Sequence, residues 1–405
     1  MSATPSCHLV RTPVFDCAGA VVGYELRFRE GAEGRHAFAQ SCLSGMFDIV
    51  RAGYPAFVRA TRQQLLEKAY EMADPRALVL LIGPELQPEP ELLQAIAAVK
   101  ATGVHIALDE YSTDAAIHTA LLPHVSMVRA DLRMMDYREL GRLVDQMDKR
   151  DVDVHADFIM EQAQLDMAVN LGVSGLLGPY FSRPEALPAA DVPASTLAAV
   201  RLMGLARDPN TNDAALEATI RIDPVLTFQL LRLVNSAALG GRGVQSIGHA
   251  LRMIGRNAFL RWLAVAVAAS RRGETGVDRE LVRHAVERAR FCEQMSGRGR
   301  DSGTLFLVGL FSLMDGVFRL PMSDLLERVP LDEQAKQALL DREGPYADAL
   351  AIAESYELGM WESATEAAKA FGVEPDALAG MYANALQWAT EQLQATMEAK
   401  GMKAA

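Results

Sequence analysis

Cysteine is scarce in this chain. Cys7, Cys17, Cys42 and Cys292 show neither metal-ligand spacing nor a disulfide-like framework, so they are expected as reduced thiols, which points to a cytoplasmic location. Basic residues are outnumbered, 40 Lys and Arg against 52 Asp and Glu for a formal charge of -12. Such a surface argues against a general binder of nucleic acid, which needs positive charge to displace counterions, although a local basic patch is compatible with it. Long apolar runs are missing too. The most apolar helical stretch, FLRWLAVAVAA at 259–269, is too short to span a bilayer and carries Arg261, so no membrane segment is expected. The stretch MSATPSCHLVRTPVFD lacks the charged-then-apolar pattern of a signal peptide.

What is present is an ordinary globular composition, half hydrophobic, in 405 residues, long enough for two domains with cores of their own. The stretch GVHIALDE, Gly103 to Glu110, reads as a buried strand that opens abruptly into two carboxylates. Similar short runs are AVVGYELRF (20–28), AFVRA (56–60), ALVLLI (77–82), SMVRA (126–130), VDVHA (152–156) and SGLLG (174–178). Helical stretches such as RQQLLEKAYEMA and PELLQAIAAVKATG lie between them. This βα alternation predicts a parallel sheet closed into a TIM-like α/β barrel, with a doubly wound open sheet as the alternative.

Pro184, Pro188 and Pro193 then mark a linker, and no strand is expected from Thr196 onward. The expected division is 1–185 for the barrel, 186–195 for the linker and 196–405 for an all-α domain. Helices are expected at 195–207, 212–221, 224–237, 246–253, 256–271, 277–296 and 303–318, with more beyond 330.

Glu25, Asp109, Glu110, Asp131 and Asp157 fall at or just past expected strand ends. Carboxylates converging there suit hard divalent cations, and two such ions can clamp a phosphodiester and activate water. Acidic residues after strands are equally helix caps and solvated loop residues, so the spacing alone leaves both readings open.

The runs RTPVFDCAGAVVGYELRFRE, ALDEY, VSMVRAD, VHADFIMEQAQLDMAVNLGVSGLLG and YFSRP give residues 9–185 a resemblance to the EAL domain, the phosphodiesterase fold that hydrolyses cyclic di-GMP. The resemblance implies metal ligands at positions where this chain departs. Glu25 and Arg29 keep the first motif, with Glu25-Leu26-Arg27 in place of Glu-Ala-Leu. Arg59 stands for an Asn, Pro84 for a Glu with Glu85 one residue late, Glu110 for the second Asp of a pair begun by Asp109, and Arg129 for a Lys ahead of Asp131. Asp157 stands for a Glu, Met160 for another Glu and Leu177 for a Gln. Arg and Lys are not equivalent where a compact ammonium orients water. The expectation is therefore a site without catalysis and without cofactor, Mg or Mn being required only if it is active. Arg29, Arg59 and Arg129 are candidate phosphate contacts, or they neutralise the remaining acids as a structural network, the reading preferred here.

The second half resembles the HDOD domain, a relative of the HD phosphohydrolases without their metal ligands. The stretch 222–266, beginning IDPVLTFQLLRLVNSAALGG, carries the likeness. Its motif residues are Asp223, Pro224, Asn235 and Ser236, with Asp223-Pro224 as a helix start and Asn235-Ser236 as a helix end satisfying backbone groups. Where a catalytic relative needs adjacent His and Asp, the chain has Ser312-Leu313. His284 is then a packed or surface residue, and no metal is expected here.

The expected protein is a bacterial signal-transduction protein of EAL-HDOD type, not an enzyme, acting through contacts with other signalling proteins in a cyclic di-GMP pathway. A receptor that binds cyclic di-GMP without hydrolysis, or an active phosphodiesterase, are the alternatives. A homodimer is expected only by analogy with EAL barrels.

Overall fold

LVLLI at Leu78–Ile82 is buried along its whole length, as a parallel strand covered on both faces must be. It belongs to a closed barrel of eight strands in sequence order. The computed structural model describes residues 8–29, 37–43, 53–182, 211–221, 247–270, 276–297, 300–328 and 331–399, with Phe47, Arg51, Leu202 and Leu205. The strands are β1 (Leu9–Phe15), β2 (Val21–Phe28), β3 (Ala56–Arg59), β4 (Leu78–Ile82), β5 (His105–Leu108), β6 (Met127–Asp131), β7 (Asp153–Asp157) and β8 (Gly175–Leu176). From β2 to β8 neighbouring strands are parallel, whereas β1 is antiparallel to both of its neighbours.

The first strand is the element that alternation did not predict. Its sequence LVRTPVF contains a proline, which supplies no ladder N–H. β1 can carry Pro13 because it meets β8 at a single pair, Phe15 with Leu176. The barrel is closed at that end and only loosely zipped along the rest of the seam.

Helices α1 (Ala37–Leu43), α2 (Arg62–Leu66), α3 (Pro90–Ala101), α4 (Ala116–Leu121), α5 (Tyr137–Asp148) and α6 (Gln162–Asn170) accompany the barrel. Capping boxes open α2 at Thr61 and Gln64 and α5 at Asp136 and Glu139. RQQLLEKAYEMA does not stay one helix: Lys68 takes φ +56° and a 3-10 turn, Ala69–Met72, follows. After α3 the chain turns at Gly103, φ +90°, a conformation that favours glycine and aims His105 into β5.

The second half is helical throughout its described residues: α7 (Asp213–Arg221), α8 (Ile247–Ile254), α9 (Arg256–Ser270), α10 (Gly276–Gln294), α11 (Ser302–Phe311), α12 (Met314–Phe318), α13 (Met322–Arg328), α14 (Glu333–Leu340), α15 (Ala347–Glu357), α16 (Trp361–Phe371) and α17 (Ala377–Ala399). The helix expected over 303–318 breaks at Ser312-Leu313. There the Ser312 hydroxyl donates to the Gly309 carbonyl at 2.7 Å, a local bond that competes with the helical ladder. Asp223, Pro224, Asn235 and Ser236, the expected helix 224–237 and the linker 186–195 lie outside the described residues.

Period-two alternation sorts the strand residues. Val14, Phe57, Val79, Leu81, Ala107 and Leu177 form an apolar cluster inside the barrel, and a larger cluster runs from the outer strand faces into the second half. β1 and β2 are joined by a tight turn, so no βα helix covers their outer face. Helix α10 does so instead: the Val277 N–H donates to the Gly19 carbonyl at 3.1 Å in that turn.

Candidate active site

Glu25 projects inward from β2, Arg129 inward from β6, Asp109 follows β5, and Asp131 and Asp157 end β6 and β7. All gather at the end of the barrel where the parallel strands finish, the end that carries chemistry in barrel enzymes. Arg129 lies at the centre with its side chain 2% exposed. Its Nη1 is 3.3 Å from Glu25 Oε1 and 3.4 Å from Asp109 Oδ1, its Nη2 is 3.4 Å from Glu25 Oε2, and Nη2 also donates to Asp157 Oδ2. Its Nε has no hydrogen-bond partner, so the guanidinium is held by carboxylates on its two terminal nitrogens.

Above it sits Arg59. Its Nη1 donates to Glu110 Oε1 at 2.8 Å and to Asp109 Oδ2 at 3.2 Å, and its Nη2 to Glu85 Oε2 at 2.8 Å. Asp109 therefore bridges the deep guanidinium and the outer one. Asp131, expected in the same cluster, turns to Arg133: it accepts from Nε at 3.0 and 3.1 Å and from Nη2 at 2.6 Å. Arg133 stacks on Phe158, its Cζ 3.4 Å from the ring centroid. Arg29 follows β2 and its N–H donates to the His8 carbonyl at 3.1 Å, but among the described residues no ion pair joins its side chain to the cluster. Met160 is exposed on the chain after β7, while Leu177 is buried in the inner apolar cluster. Glu85 and Arg133 are the mouth residues that the strand-end pattern did not single out.

Two mouth residues hold the backbone in an unfavourable region, Glu110 at φ +47° and Phe158 at φ +58°. Each directly follows an acid paired with Arg129, Asp109 or Asp157. Non-glycine residues persist there only when their surroundings over-determine them. The Arg59 contact to Glu110 and the Arg133 stack on Phe158 are such surroundings.

Burial and charge divide the acids. Burial lifts the carboxyl of Asp109 to about 6, with the Arg129 guanidinium pulling the other way. Burial also raises Asp157, against the opposing pull of Arg129. For Glu25 burial acts upward, yet Arg129, Arg27 and Arg59 together hold it below the usual range. His155, beside Arg129 in the register of β6 and β7, is driven down to about 4 by burial and by Arg129, which keeps it neutral.

Carboxylate oxygens suit a hard divalent cation, but here Glu25, Asp109 and Asp157 share Arg129, and Glu85 and Glu110 share Arg59. Among the described residues no group of three His, Cys, Asp or Glu side chains is placed to hold a metal ion. The residues as arranged do not fit a metal pair.

The helical half has its own buried charge cluster. Glu357 Oε2 lies 2.9 Å from His284 Nε2 and 2.5 Å from Arg288 Nη2, and Arg288 Nη1 donates to the Ser312 hydroxyl at 3.0 Å. His284 thus faces a carboxylate, and Ser312 is a partner of an arginine. Burial acts upward on Glu357, but Arg288 and His284 outweigh it and hold the carboxyl at about 2.

Residues 192–327 match the HDOD domain. The whole chain is similar to the cyclic di-GMP phosphodiesterase CdgJ of Vibrio cholerae serotype O1, 23% identical over 95% of this chain and 92% of that protein. It is also similar to the uncharacterized protein YuxH of Bacillus subtilis, 22% identical over 94% of this chain and 97% of that one. Among solved structures it resembles the EAL domain protein of Listeria monocytogenes EGD-e, 14% identical with a TM-score of 0.37, over 44% of this chain and 88% of that one. The expectation that the chain is not an enzyme is overturned by the relative named a phosphodiesterase, which aligns with nearly its full length. Changed ligand positions do not by themselves abolish a reaction: three carboxylates still meet around Arg129, and burial lifts one of them, Asp109, to about 6. By fold and by likeness, the chain is an eight-stranded barrel followed by a helical region that matches the HDOD domain over residues 192–327, and it is similar along most of its length to a protein named a cyclic di-GMP phosphodiesterase.

Proposed function

We propose that this chain works in cyclic di-GMP signalling as a phosphodiesterase of EAL-HDOD type, with residues 1–185, 186–195 and 196–405 as barrel module, linker and helical module. The barrel mouth receives the dinucleotide and its phosphodiester is cut there. The observation that carries this reading is Asp109, buried at the mouth with its carboxyl at about 6. Cutting a phosphodiester requires a proton to leave the attacking water and another to reach the departing ribose oxygen. A carboxyl that titrates near neutrality exchanges protons in either direction.

Arg59 and Arg133, with side chains 38% and 52% exposed, offer guanidiniums to the phosphate groups. The helical module is the part proposed to meet other signalling proteins, supported by the HDOD match, and a homodimer is proposed by analogy with EAL barrels alone. Titration calorimetry with cyclic di-GMP tests the recognition step. Binding that weakens about tenfold in Arg59→Ala, the loss of a charge-assisted contact, supports the mouth as its location. Binding untouched by Arg59→Ala and Arg133→Ala places the dinucleotide elsewhere.

A further inference from the structure

Consecutive residues of β2 face opposite ways. Glu25 points into the barrel and meets Arg129, while Tyr24 points outward, and its hydroxyl donates to Glu280 Oε1 of α10 at 2.8 Å. Both are shielded: Tyr24 is fully buried and Glu280 is 8% exposed. Arg11, beside them on β1, lies with its Cζ 4.6 Å from the centroid of the Tyr24 ring. It pairs with Glu287 Oε1 at 2.6 Å, two turns further along α10, and reaches Glu280 Oε2 at 3.8 Å.

The two acids of α10 are seven residues apart, two helical turns on one face, and that face lies against the β1–β2 hairpin. A second link lies toward the end of β2. Arg27 donates to Thr12 Oγ1 at 3.4 Å and to the Leu358 carbonyl, just past α15, at 3.5 Å. At the turn of the hairpin, Gly276 packs so closely that a Cβ there would lie 2.4 Å from the Gly19 carbonyl oxygen. The helical half therefore grips β2 at its turn, its middle and its far end. β1 pairs with β2 along its whole length but with β8 at one position only, so the rest of the barrel holds this hairpin mainly through β3.

We propose that Glu280 of the helical half is a positioning residue of the barrel mouth, setting β2 through the Tyr24 hydroxyl and thereby the place of Glu25 against Arg129. A shift of α10 along the hairpin moves a carboxylate of the site, so whatever acts on the helical half acts on the mouth. Packed elements transmit such shifts because they rest in discrete arrangements. For its activity arm this inference rests on the proposed function; its structural arm does not.

The test uses the full chain with Tyr24→Phe, which keeps the ring under Arg11, with Glu280→Leu, which removes the acceptor, and with the double variant. Amide hydrogen exchange without nucleotide is expected to speed up about tenfold in β2 and at residues 107–110, the scale of one buried charge-assisted hydrogen bond, with α11 and α15 unchanged. Hydrolysis of cyclic di-GMP is expected to lose kcat more than KM, and the double variant to match the worse single one, because both remove the same bond. Lowered melting with unchanged exchange at 107–110, or additive effects in the double variant, would overturn the proposal. If the native chain neither binds nor cuts cyclic di-GMP, the proposed function fails and the exchange result still decides the coupling.

Discussion

Asp109 Oδ1 lies 3.4 Å from Arg129 Nη1, yet its carboxyl titrates at about 6, above its ordinary 3.8. Desolvation prevails because Arg129 divides its charge among Glu25, Asp109 and Asp157, and Glu25 takes the largest share. A guanidinium surrounded by three acids leaves one of them half-compensated.

Asp109→Asn is expected to stabilise the fold at high pH. A carboxyl raised from 3.8 to about 6 supports the folded state fully below its unfolded value, and that support is lost as the pH rises through about 6. Thermal unfolding should show the variant gaining on the order of 2 kcal/mol at pH 8 and little at pH 4. An equal gain at both pH values contradicts the assignment.

Arg129→Met should destabilise strongly at neutral pH, by about 3–5 kcal/mol, since it leaves buried carboxylates without their cation. The loss should shrink at pH 4.5, where Asp109, raised by burial to about 6, takes up a proton. Urea unfolding at the two pH values checks this.

Glu357→Gln tests the second cluster with the opposite sign. The depressed carboxyl supports the fold above its unfolded value and loses that support as the pH falls toward about 2. The variant should cost about 3 kcal/mol at pH 7, the scale of a broken buried pair. The difference should fade below pH 4 in acid denaturation.

Gly103→Ala places a side chain at φ +90° in the turn that leads to β5 and Asp109. Space is not the obstacle, since a Cβ there meets nothing within 4 Å. The strained backbone alone should cost about 1 kcal/mol, read as a lower melting temperature with the mouth contacts intact.

The strands from β2 to β8 were legible because buried parallel strands write themselves as short apolar runs, and each expected run overlaps an observed one. β1 was not, because LVRTPVF mixes Arg11 and Pro13 into a strand whose outer face is covered by α10. The acids at strand ends were legible by position, and Glu25, Asp109 and Asp157 do converge, whereas Asp131 turns to Arg133. How the charges pair was not legible. Arg129 and Arg59 were named as candidates, but burial and distance decide which acids they hold. Glu280 and Glu287 left only a heptad spacing of acidic residues, on a face that also carries Arg283 and His284, which does not name Tyr24 or Arg11 as their partners.

The most direct measurement is the conversion of cyclic di-GMP to linear dinucleotide by the purified full chain, followed chromatographically with Mg²⁺ or Mn²⁺ across pH 5 to 9, alongside Asp109→Asn. The account predicts linear product from the native chain, kcat/KM that bends near pH 6, and loss of product in the variant. Cyclic dinucleotide recovered intact with both cations, or turnover and a pH profile unchanged in Asp109→Asn, would contradict it.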